Sequence, residues 1–184
     1  MGNRELGRSI TAAMRGLLGI QRDVVTLAAS LEKIMFERGW VVAKELLPKE
    51  NGDVHHRLFV LFTRERAKAD AVTCAVLVSL NLTPPKPLDE PYLLVGIIRF
   101  DSATSATSIW NDWYDADCMR VLRYVVDAGK AMPLSHDLRR PHYVPKADHA
   151  TAFAIPLSDF TGPVELEQLV VAPTLELLNL LSAA

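Results

Sequence analysis

The chain has 184 residues, is 49% hydrophobic and 23% charged, and carries a formal net charge of −2 with two cysteines. It is too apolar for a disordered chain, and its length suits one domain. The near-neutral balance disfavours a protein that grips nucleic acid through phosphates, and two cysteines make neither a disulfide framework nor a four-cysteine zinc site.

The N-terminus, Met1 to Leu6, lacks the apolar region of a secretory signal, and Leu6 stands where a myristoylation motif needs Ser or Thr. No stretch reaches the roughly twenty apolar residues of a membrane span. The expectation is a soluble, cytoplasmic protein without a membrane partner.

In chain order, the first 38 residues read as two helices. In Arg8 to Leu18, the residues Ile10, Met14, Leu17 and Leu18 fall at helical spacing, and Gly19 offers a stop. A stronger helix follows from Ile20 to Arg38. Its stripe of Val24, Leu27, Ala28, Leu31, Ile34 and Met35 predicts an amphipathic helix on a core, closed by Gly39. The period then changes. Trp40 to Leu47 and Val54 to Thr63 read as strands, and Asn51-Gly52 between them predicts a hairpin turn. Ala71 to Leu80 and Tyr92 to Phe100 are nearly continuous apolar runs, as expected of central strands covered on both faces, although the first also suits a buried helix.

A middle helix is predicted over 108–128, ended by Gly129, with Trp110, Trp113, Tyr114, Val121, Tyr124 and Val125 toward the core. Strands resume at 150–157 and 164–171, and a last helix runs from Pro173 to Leu181. The expected fold is a single α+β domain. It has a largely antiparallel sheet of about five to six strands, two N-terminal helices, a long middle helix and a C-terminal helix. The element order resembles that of GAF, PAS and profilin-like folds and of GNAT acyltransferases, but no motif of those families accompanies it.

Four features bear on function. With Asn51-Gly52 as the turn, Glu45 pairs with Leu58, Ala43 with Val60 and Leu47 with His56. Glu45 and His56 then become diagonal neighbours on the apolar face, a carboxylate–imidazole pair suited to acid–base work. A one-residue slip or a solvated rim would remove that pair. The acidic run Asp112, Asp115 and Asp117 lacks the glycine and final glutamate of a calcium loop, and reads as a solvated helix face. The loop from Ser135 to His149 gathers His136, Arg139, Arg140, His142 and Tyr143. The arginines there suit a phosphate or carboxylate, while the histidine spacing fits no standard zinc pattern. Finally, Leu175, Leu177, Leu178, Leu180 and Leu181 spread over more than half of the last helix. That apolar end needs either the core or a second chain, with Leu175, Leu178 and Leu181 as interface candidates.

Glycine-rich phosphate loops, the Gly-x-Ser-x-Gly elbow and His-Glu-x-x-His are absent from the sequence. The expectation is a non-enzymatic interaction or regulatory module that associates with itself or a protein partner, without metal or cofactor. The alternatives are a small enzyme or anionic-ligand domain using loop 135–149, and a nucleic-acid-binding accessory protein.

Overall fold

The structure, a computed structural model, describes residues 3–46, 57–64, 71–81, 91–114, 132–133 and 147–183. They form one α+β arrangement around an antiparallel sheet. Its strands are β1 (Trp40–Leu46), β2 (Arg57–Arg64), β3 (Val72–Asn81), β4 (Tyr92–Thr104), the two-residue β5 (Met132–Pro133) and β6 (Ala147–Pro156), in the order β1-β2-β3-β4-β6-β5. The hairpin turn expected at Asn51-Gly52 lies outside the described residues.

Both long apolar runs are central strands. From Tyr92 to Ile98 every residue of β4 is buried, and β3 is buried from Ala75 to Leu80. Alternate side chains enter two cores. Val76, Val78, Leu80, Leu93, Val95 and Ile97 face one side; Ala75, Leu77, Leu94 and Ile98 face the other. Such strands need cover on both faces, which is why they lack polar alternation.

The first face is covered by helix α1 and the C-terminal helical segment. α1 (Asn3–Glu37) is one continuous helix of 35 residues, about 52 Å long at 1.5 Å per residue. This corrects the expected pair of helices parted at Gly19. A glycine inside a helix costs only about 1 kcal/mol, and Gly39 alone among the described glycines has positive φ, at 79°. Gly39 does close the helix: its N–H donates to the Phe36 carbonyl at 2.9 Å, beside the Arg38 N–H to Met35 carbonyl bond at 3.0 Å. Among the described residues of α1, Val24, Ala28, Leu31 and Met35 are buried in the core, and Leu27 and Ile34 pack half-buried against it.

The C-terminal segment corrects a second expectation. Residues 164–171 are helical, not a strand. α3 (Pro163–Leu166) passes through a π-helical turn (Glu167–Val171) into α4 (Ala172–Ala183). The valines suggest a strand by propensity, but Leu166, Val170, Val171, Thr174, Leu178 and Leu181 recur at helical spacing and are the buried set. Burial overrides a weak local preference. The wide turn immediately precedes Pro173, which has no N–H to give and whose ring would crowd the carbonyl four residues back. The Ala172 N–H donates instead to the Glu167 carbonyl, and the Thr174 hydroxyl donates to the Val170 carbonyl at 2.6 Å.

α2 (Ala106–Tyr114) packs on the second face through Ile109 and Trp110, the latter edge-on to Phe59 with ring centroids 5.1 Å apart. It begins two residues before the expected Ser108 because Ser105 caps it, its Oγ accepting the Ser108 N–H at 3.0 Å. The rest of the expected helix over 108–128 lies outside the described residues. β6 likewise begins earlier than expected, at Ala147.

Gly19 and Gly39 therefore respond oppositely to alanine. A Cβ at Gly19 meets nothing within 4 Å, so Gly19→Ala increases amide-exchange protection around residue 19 by about 0.5–1 kcal/mol. Gly39→Ala lowers global stability by about 1–2 kcal/mol in denaturant titration, because its backbone is left-handed. Equal signs would refute the continuous helix.

Candidate functional site

A groove bounded by described residues lies on the first face. After β6 the chain makes a 3₁₀ turn (Leu157–Asp159), tied back to the sheet by the Leu157 N–H to Pro91 carbonyl bond at 2.9 Å. It then runs through Phe160 and Thr161 to Gly162, which is extended, and Pro163 occupies the first turn of α3. This detour leaves a groove against the middle of α1, with a volume of about 530 Å³. Its apolar wall includes Leu27, Leu80, Leu157 and Phe160; its polar wall on α1 is Asp23, Thr26 and Ser30. Two turns beyond Ser30, Arg38 Nη2 donates to Glu167 Oε1 at 2.6 Å and joins the end of α1 to the π turn. Both partners are well exposed, so this ion pair contributes about 0.2–1 kcal/mol.

The groove was not read from the sequence. Its signals are Thr26 and Ser30 beside a buried stripe, and Gly162-Pro163 marking a helix start inside a segment mistaken for a strand.

At the opposite end of the same face, Cys74, Arg99 and His149 share one row, with Cys74 paired to Arg99 and Arg99 to His149. All three are half-buried. Arg99 Nη1 donates to the Leu181 carbonyl, so this arginine anchors the end of α4 to the sheet. The His149 ring lies 3.5 Å from the Thr151 hydroxyl. Cys74 and His149 stand two strand spacings apart, about 10 Å, beyond the reach of a thiol–imidazole proton transfer.

The register expected for β1 and β2 is not the one observed. β1 has an irregularity between Val42 and Lys44, and Glu45 pairs with Val60 instead of Leu58. Farther along the ladder, the irregularity at Ala43 turns Val41 and Ala43 away from the face that carries Val60. Glu45 is exposed on the edge strand, where its carboxylate keeps its water. His56 lies outside the described residues, as do His136, Arg139, Arg140, His142 and Tyr143 of the loop, and Asp115 and Asp117. Among the described residues no group of His, Cys, Asp and Glu is placed to hold a metal ion, and no helix is long and apolar enough to cross a membrane.

The leucines of α4 divide. Leu178 and Leu181 are buried in the core, Leu175 and Leu177 pack half-buried against it, and Leu180 is 61% exposed. Burial within the domain thus accounts for Leu178 and Leu181, which offer no surface to another chain. No family model, curated protein or solved structure matches the chain.

The placement of Leu178 sets a test. Leu178→Ala costs about 2–5 kcal/mol of stability in chemical denaturation. The folded fraction keeps its oligomeric state; a change of association at unchanged stability would make Leu178 an interface residue.

Proposed function

We propose that the protein is a non-catalytic interaction module that self-associates through the N-terminal half of α1. The observation that carries this reading is the length of that helix relative to the sheet. The α1 residues before Val24 whose exposure is described are all exposed, whereas the helix begins at Asn3. About 30 Å of helix precedes Val24.

Over that length the sequence keeps the phase of the buried stripe. Ile10, Ala13, Leu17 and Ile20 lead into Val24, Leu27, Leu31 and Ile34 with the alternating three- and four-residue spacing of a coiled-coil seam. Such a seam is self-complementary, which favours a second copy of this chain as its cover. Arg8, Arg15 and Arg22 are exposed and recur at heptad spacing, on the side of the helix away from that stripe. Ile20, within the seam, is 44% exposed. Part of the flank of α1 is apolar as well: Val25 is 37% and Phe36 56% exposed. Exposed apolar residues grouped on one helix mark an interaction surface more often than scattered ones do.

Light scattering on the purified chain tests this reading. The wild type should be a dimer or larger at micromolar concentration, and Leu17→Glu should be a monomer whose sheet melts at nearly the same temperature, since this reading assigns Leu17 to the seam and not to the sheet's cover. A wild type that stays monomeric across the concentration range defeats the proposal.

A further inference from the structure

We propose that the groove between α1 and the 157–166 segment binds a small amphiphile with an apolar body and a cationic, hydrogen-donating head, the chemistry of a long-chain alkylamine. The inference does not rest on self-association.

Size comes first. A volume of about 530 Å³ lies within the range of small-molecule pockets, roughly 300–1,000 Å³. The wall formed by Leu27, Leu80, Leu157 and Phe160 can hold a hydrocarbon body, and removing that body from water supplies the affinity.

The head is selected by the α1 wall. Thr26 Oγ1 donates its proton to the Arg22 carbonyl at 2.9 Å, and Ser30 Oγ donates its proton to the Thr26 carbonyl at 2.9 Å. Each hydroxyl has thereby committed its one donor and faces a ligand with lone pairs only. Asp23, about one turn before Thr26 on the helix, contributes a carboxylate, which also only accepts. Among the described residues, the lining contains no lysine, arginine or histidine. An anionic head would meet acceptors and a like charge; an alcohol would meet acceptors without charge attraction; an ammonium satisfies both conditions. The cavity therefore discriminates by head group as well as by size.

The test uses the full-length chain and three probes of equal tail length, decylammonium, decanol and decanoate, below their aggregation limits at low ionic strength. Decylammonium should bind tightest and decanoate weakest. Asp23→Asn should weaken decylammonium about threefold, the scale of one exposed ion pair, and leave decanol unchanged. Thr161→Trp, at an exposed position on the rim, should weaken decylammonium and decanol alike without lowering the melting temperature. Repeating the titration in Leu17→Glu separates this outcome from any effect of association. Decanoate binding as tightly as decylammonium overturns the proposal. So does the absence of binding, or decylammonium binding that neither Asp23→Asn nor Thr161→Trp alters.

Discussion

The burial of β3 and β4 on both faces is the constraint on which the other elements depend. A sheet whose middle strands carry Val76, Val78, Val95 and Ile97 on one side and Leu77, Leu94 and Ile98 on the other has no wet face to spare. Each face must be closed by something from elsewhere in the chain. On one side the closure comes from the start and the end of the sequence together, α1 and the segment from Pro163 onward. On the other, α2 begins directly after β4, and its Ser105 cap starts the helix early enough to bring Ile109 over the sheet. The order of elements follows from that demand: β1 to β4 are made consecutively as a meander, β6 adds beside β4, and helices are supplied before, within and after them.

Covering one face with two segments so far apart in sequence requires that they be held in place. Arg99 does this from within the sheet, donating to the last turn of α4 at Leu181, where helix carbonyls lack intrahelical partners. Thr174 secures the turn around Pro173. The π turn lets the helix continue past a proline that would otherwise end it, so Leu166 and Val170 before it and Leu178 after it enter the same core. Arg38 and Glu167 add a weak surface tie. The groove is a consequence of this arrangement. The two covering segments are joined near Arg38 and Glu167 and leave space between the middle of α1 and the loop that leads into α3.

How much of this was legible in the sequence varied with the kind of signal. The helix ending at Gly39, the two central strands and the amphipathic face of Val24 to Met35 were legible, because each rests on a long periodic pattern or on a glycine that accepts positive φ. Gly19 misled because the same residue type also sits inside helices at modest cost; only the phase of the stripe across it distinguishes the two cases. Residues 164–171 misled because valine-rich runs favour strands locally, while their helical spacing becomes decisive only against a sheet already built. The Glu45 register differs by two residues already at the pairs nearest the turn, Glu45–Val60 and Leu46–Phe59, so it is set within residues 47–56, outside the described residues, and the irregularity at Ala43 comes farther along the ladder. The groove was illegible for a different reason: its polar wall and apolar wall come from residues more than a hundred positions apart, and the donor state of Thr26 and Ser30 depends on helical carbonyls that exist only once α1 has formed.

α1 joins the two functional proposals because its faces have different occupants. One stripe is used by the sheet from Val24 onward, and the same apolar spacing continues N-terminally in the sequence. The adjoining flank, with Asp23, Thr26 and Ser30, borders the groove. A helix that served packing alone would gain little by extending about 30 Å ahead of Val24 without a partner surface, since helix propensity alone barely sustains short helices in water. Its persistence over that distance calls for a partner surface, and the heptad spacing favours a copy of itself. Ile20 stands where the two uses meet, in the seam by its spacing and in the wall of the groove by its position. Association along the seam and occupancy of the groove would therefore contact a common side chain. This gives the two sites a physical route by which each can bias the other, of the kind required for coupling between distinct sites.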